Sequence, residues 1–167
     1  MQEPGLPDET DRIHATAIAV GNRGVLIRGS SGSGKSDLAL RCLGLTPSTI
    51  LPDMVKLVAD DQVILSSDSK RASPQLIATA PPALRGKLEV RGLGILEVAV
   101  ADQAEIVLVA DLIREGRPER FPDPWPKVVL LGLEIPVIRV FPFEASAAAK
   151  LIAALCMAEL PRIGRKP

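Results

Sequence analysis

Residues 24–36 read Gly24-Val25-Leu26-Ile27-Arg28-Gly29-Ser30-Ser31-Gly32-Ser33-Gly34-Lys35-Ser36, and this stretch decides the fold. Gly29, Gly34, Lys35 and Ser36 meet the pattern G-x-x-x-x-G-K-[ST], with a strand-like run before it and a helix-like run over residues 36–45 after it. Each residue type has a chemical reason to be there. Glycines let backbone N–H groups close around phosphate oxygens, and a helix N-terminus favours anions. The lysine reaches terminal phosphates, and the serine hydroxyl ligates Mg2+. A flexible Gly/Ser turn that happens to precede Lys-Ser explains neither the spacing nor the flanking elements. Gly29, Ser30, Ser31, Gly32, Ser33, Gly34, Lys35 and Ser36 are therefore expected to cradle the phosphates of ATP, with Ser36 on the Mg2+ side.

Upstream, residues 13–20 mix small and apolar residues like a strand, and Gly21-Asn22-Arg23-Gly24 signals a hairpin turn into the strand that feeds the loop. Downstream, Leu40, Cys42 and Leu43 support a helical face that Gly44 and Pro47 end. Residues 46–54 form a surface loop, and the short apolar strand 56–59 delivers Asp60-Asp61. Strands are expected at 63–65 and 75–79, the latter stopped by Pro81-Pro82. Residues 85–91 read as a brief helix or turn and 95–100 as a strand. The run 105–113, broken by Asp111, reads as a strand buried on both faces. Residues 114–126 hold four prolines and are the most loop-like stretch. Strands at 127–131 and 135–140 and an Ala/Leu-rich helix at 145–160, stopped by Pro161, complete the order. The expectation is an α/β fold, a single P-loop kinase-like domain over 12–161 with a mixed β-sheet and flanking helices. A disordered acidic lead covers 1–11 and a basic tail 162–167.

The 167 residues suffice for a continuous core without disulfides or structural metal. Hydrophobic residues make up 47% and charged residues 24%, and Lys plus Arg at 20 balance Asp plus Glu at 20. That balance calls for neither nucleic acid nor an anionic membrane. The chain has no Tyr and only Trp125, Phe121, Phe141 and Phe143 as aromatics, too few for the stacking platforms of single-strand binders. Cys42 and Cys156 form neither a CxxC pair nor a metal-ligand spacing, which suits buried thiols in a reducing compartment. The first residues lack an apolar signal core, and no apolar run reaches the roughly 18 residues of a membrane span. A cytoplasmic protein is expected.

Asp60 and Asp61 end a strand where P-loop proteins set an acidic residue toward Mg2+ and nucleotide. Adjacent carboxylates there point to opposite sides, so one can face the phosphates as base or metal partner while the other holds a neighbouring donor. A solvated Asp-Asp turn is the plain alternative. His14, the sole histidine, lies on the strand that pairs with the one entering the loop, which places it near the phosphates or makes it a structural residue. Glu89 and Arg91, before Gly92-Leu93-Gly94, are a surface charge pair or a metal and substrate contact.

Together, His14, the 29–36 loop, Leu57-Val58-Ala59-Asp60-Asp61 and Leu88-Glu89-Val90-Arg91-Gly92-Leu93-Gly94-Ile95 resemble the catalytic domain of HPr kinase/phosphorylase, in four ordered motifs over about residues 14–140. The resemblance implies an ATP- and Mg2+-dependent kinase. Its target would be a serine of HPr, the phosphocarrier of the bacterial phosphotransferase system, with phosphorolysis as a possible reverse activity. By position it makes Asp60 the acid/base, His14 the neighbour that tunes it, and Asp61 a residue that orients the site. Glu89 with Ser36 would hold Mg2+, Lys35 would neutralise the transferred phosphoryl group, and Arg120 would be the mobile-loop arginine. It also implies a homo-oligomer, a hexamer in the family. Longer members carry an N-terminal domain, so the chain resembles the short form that amounts to the catalytic domain. After Ile135-Pro136-Val137 the family's Pro-Gly-Arg-Asn is replaced by Ile138-Arg139-Val140-Phe141-Pro142-Phe143-Glu144. That segment bears on phosphorolysis and assembly in longer members. A P-loop kinase or ATPase acting on a small metabolite is the alternative, and a nucleotide switch without turnover is a third reading.

Overall fold

The computed structural model of the chain describes residues 9–67, 73–120 and 122–158. The elements run β1 (Glu9–Ile13), β2 (Thr16–Val20), β3 (Arg23–Arg28), α1 (Lys35–Leu43), β4 (Val55–Ala59), β5 (Val63–Ser67), β6 (Leu76–Thr79), a 3-10 turn (Pro82–Leu84), β7 (Lys87–Val90), β8 (Gly94–Glu97), β9 (Gln103–Leu112), β10 (Lys127–Leu130), β11 (Leu133–Val140) and α2 (Ala147–Met157).

The long apolar run became β9, the middle of the sheet. Strand order is β1-β5-β6-β9-β3-β2-β4, with β11 also beside β9 and β10 beside β11. One flank of β9 pairs in parallel with β3. Its other flank forks: the start pairs antiparallel with β6 and the end pairs in parallel with β11. The remaining pairs in this sheet are antiparallel. Because β3, β9 and β11 run the same way, their C-terminal ends open on one edge. The 29–36 loop, residue 114 and residue 141 all leave the sheet there, and ligands of such sheets bind outside the carboxyl ends of the strands.

Strand alternation sends side chains to two cores. On one face Ile18, Val25, Ile27, Leu108 and Ala110 pack with Leu38 and Cys42 of α1 and with Leu151, Ile152 and Leu155 of α2. On the other, Ala17, Ala19, Leu26, Val109 and Val137 meet Val63, Leu65 and Leu76, a cluster with no helical residue. The sheet covers this face by curling over itself, and the small alanines of β2 leave the room. Each fully buried Leu or Ile contributes about 1.5–3 kcal/mol through removal from water.

Helix α1 follows Gly34, its N-cap, whose φ of 98° is left-handed. Its first turn carries Asp37 and its last Arg41, both favourable to the helix dipole, and the two side chains pair at 2.9 Å. The Gly44 N–H closes the helix on Leu40 O at 3.1 Å.

The structure departs from the sequence expectations in four places. The 13–20 run is two strands, separated at His14 and Ala15. From residue 9 the expected lead is β1, an edge strand on β5 whose first four residues are exposed; residues 1–8 and the 162–167 tail lie outside the described residues. The 85–91 segment contains β7, paired with β8 in a separate two-stranded sheet. Helix α2 begins at Ala147 rather than at residue 145. Among the described residues no helix is long and apolar enough to cross a membrane.

Candidate active site

The root of the loop is fixed by an ion pair across the parallel strands. Arg28 Nε and Nη2 donate to Asp111 Oδ1 and Oδ2 at 2.7 and 2.9 Å, the bidentate arrangement that fixes geometry as well as charge. A Cβ on Gly29 would lie 2.4 Å from Ser33 Oγ, so a side chain here would force the Ser33 hydroxyl to turn away. Gly32 and Gly34 take φ of +72° and +98°, a region L side chains rarely adopt. Lys35 is buried, and its Nζ donates to Gly29 O at 2.8 Å and Ser30 O at 3.0 Å. Burial lowers its pKa, against the opposing effect of the Asp60 and Asp61 charges.

The adjacent aspartates diverge. Asp60 is 4% exposed and accepts from Thr16 Oγ1 at 2.8 Å, from Ser36 Oγ at 2.9 and 3.1 Å, and from the Glu89 N–H at 3.2 Å. Asp61, with a φ of 65°, turns outward. Its Oδ1 lies 3.1 Å from His14 Nδ1, with the two side chains 57% and 51% exposed respectively. His14 therefore stands beside Asp61, where the resemblance had set it beside Asp60.

Strand β7 docks against the site through its backbone and through Leu88, which is buried in the helical core. The Glu89 side chain itself is exposed. Arg120 is also exposed, in the stretch after β9. The arginine at the loop is Arg114, whose Nη2 donates to Ser31 O at 3.3 Å. It follows Ile113, whose N–H bonds Val140 O at 2.9 Å and holds the exit of β9 against β11. Sequence reasoning missed Thr16 and Arg114. Thr16, at the head of β2 two residues past His14, carried a faint signal as the polar residue of a buried strand; Arg114 carried none.

The donor set suits a hard cation. Ser36 Oγ and the Asp60 carboxylate bring oxygen donors together beside the 29–36 loop, and among the described residues no cluster of three or more His, Cys, Asp or Glu forms a closed cage. Mg2+ is commonly held in this way, by one or two carboxylates together with substrate phosphates.

The sequence matches the family described as HPr Serine kinase C-terminal domain over residues 8–163. It is 36% identical over 138 residues to the HPr kinase/phosphorylase of Cupriavidus necator, covering 77% of this chain and 39% of that protein. It is 30% identical over 139 residues to the HPr kinase/phosphorylase of Mycoplasma mycoides subsp. mycoides, covering 76% and 41%. The chain thus spans about two fifths of the length of these relatives. The structure of the Hpr(Ser) kinase/phosphatase from Coxiella burnetii superposes with a TM-score of 0.66 at 28% identity, over 88% of each chain. With its glycine-rich 29–36 loop, its adjacent aspartates and this match over nearly its whole length, the chain belongs to the HPr serine kinase C-terminal domain family.

Proposed function

We propose that this chain transfers the γ-phosphoryl group of ATP to a serine hydroxyl of an HPr-type phosphocarrier protein. The observation that carries the reading is the split of the site into a buried pair, Ser36 with Asp60, and an exposed pair, His14 with Asp61. The loop N–H groups bind the phosphates, and Lys35 leaves its carbonyl partners to meet the terminal phosphate. Ser36 and Asp60, with Glu89 nearby, would hold Mg2+, which supplies charge neutralisation between the phosphates.

A serine on a folded partner reaches only exposed groups, and both Asp60 oxygens are already engaged inside. Asp61 therefore takes the acid/base role in place of Asp60. It accepts the serine proton as the oxygen–phosphorus bond forms and the bond to the ADP oxygen breaks, while His14 steadies its carboxylate. In reverse, the same carboxyl returns the proton to the serine as the phosphoryl group leaves for inorganic phosphate. Arg114 supplies the positive charge over the loop that the resemblance assigned to Arg120. The reading carries with it a cytoplasmic location and a homo-oligomer.

Incubating the chain with labelled ATP, Mg2+ and HPr from the same organism should yield HPr labelled on a serine, read by mass spectrometry. Consumption of ATP with no label on HPr would favour the small-metabolite kinase. Absence of nucleotide binding would end the phosphate-loop reading.

A further inference from the structure

Phe143 is the exposed aromatic among the described residues, at 63% of its surface, while Trp125 and Phe141 are partly buried. It sits in the turn that leaves β11, two strands from β3 on the edge where the phosphate loop also opens. A Cβ on Gly34 would lie 3.6 Å from Phe143 Cε1 and 3.7 Å from its Cζ, so the ring lies against the junction of loop and helix. Phe141 backs it edge to face, with centroids 5.8 Å apart at 80°.

The turn is braced from α1. The Arg41 guanidinium donates to Pro142 O and, at 3.5 Å, to Glu144 O, the carbonyls on either side of Phe143. Glu144 in turn pairs with Lys150 of α2. Arg41 is itself held by Asp37 one turn earlier in α1. The backbone on both sides of Phe143 is thus tied to α1, and its ring faces solvent beside the 29–36 loop.

We propose that Phe143 is a stacking platform for the nucleobase of the triphosphate whose phosphates the 29–36 loop holds. The inference rests on the phosphate-loop reading and deepens it: the donor is a nucleoside triphosphate recognised through its base as well as its phosphates, rather than a bare polyphosphate. Continuity with the loop argues for the base over a second copy of the chain or the protein substrate. A nucleotide anchored at residues 29–36 extends its ribose and base away from the phosphates over this edge, and every base offers a π-face to a ring.

The test compares binding of Mg2+-ATP and Mg2+-tripolyphosphate by calorimetry in the whole chain, in Phe143→Ala and in Phe143→Trp. The platform predicts that Phe143→Ala weakens ATP by about tenfold to a hundredfold, the range of base–aromatic stacking. Tripolyphosphate should stay within about twofold, and Phe143→Trp should retain ATP affinity. Equal weakening of both ligands would make Phe143 a support of the loop. No weakening of either would leave the ring to a protein contact. Both results overturn the platform, as does an unmodified chain that binds tripolyphosphate as tightly as ATP. Should the unmodified chain bind neither ligand, the phosphate-loop reading itself falls, and the platform with it.

Discussion

The inner and outer halves of the site use the same residue types in opposite surroundings. Inside, buried Asp60 accepts from Thr16, Ser36 and the Glu89 N–H, while Lys35 beside them donates to the Gly29 and Ser30 carbonyls. Outside, His14 and Asp61 meet in solvent, and Glu89 and Arg114 are likewise exposed. A buried network of satisfied donors and acceptors holds one arrangement, because any loosened member would leave a neighbour unpaired in a low-dielectric setting. That rigidity suits phosphate and metal, whose geometry does not change from one substrate to the next. The open half suits a partner that arrives already folded and must present a hydroxyl to a reachable base.

This contrast can be broken most severely at Lys35. Lys35→Ala should lower phosphoryl transfer by about a hundredfold to a thousandfold, the scale of removing one electrostatic donor to a developing charge, with circular dichroism unchanged. Retained activity would mean that the inner half does not contact phosphate. Arg114→Ala should cost about tenfold in transfer, the scale of one charge-assisted hydrogen bond. A larger loss in Arg120→Ala measured in parallel would return the phosphate-side arginine to the position the resemblance implied.

Thr16→Val sharpens the contrast from the stability side. It removes one donor to buried Asp60, so the account expects a loss of about 1 kcal/mol and a melting temperature lower by about 2–4 °C in calorimetry. The exposed His14→Ala should leave the melting temperature unchanged. The smallest effect is expected at Cys42, away from both halves. Burial pushes its thiol up to about 12, so it stays protonated at pH 8 and should resist Ellman's reagent in the folded chain while reacting in denaturant. Because that value lies above the ordinary 9.0, the unfolded chain releases the proton first. Stability should therefore fall as pH rises from about 9 toward 12.

The loop and α1 were legible because their causes are local: glycine conformations, a helix N-terminus and an apolar stripe lie within a few residues of each other. The same holds for β9, whose apolar run could only be a buried strand. Strand β1 was hidden because Glu9, Thr10, Asp11 and Arg12 are polar and exposed, and only pairing with β5 makes them a strand. The strand after residue 94 was expected, but its partner β7 lies in a segment that suggests a helix or turn. Its pattern is short, and Gly92, with a φ of 88°, lies in the tight turn that leads to β8 at Gly94. For Asp60 and Asp61 the sequence foresaw that the carboxylates would part, but which way each turned depended on Thr16, Ser36 and His14, brought there from other strands and the loop. Arg114 lay within a proline-rich stretch with no periodicity to set it apart from its neighbours.

The division between the halves is tested most directly by measuring ATP affinity and the single-turnover rate of transfer to HPr on the same preparations of Asp60→Asn and Asp61→Asn. Asp61→Asn should bind Mg2+-ATP normally and lose about a hundredfold or more in transfer, the scale of a general-base contribution. Asp60→Asn should weaken Mg2+-ATP binding and lower the melting temperature. If Asp61→Asn transfers normally while Asp60→Asn binds ATP normally and fails only in transfer, the base is the buried aspartate and the assignment of the two halves is contradicted.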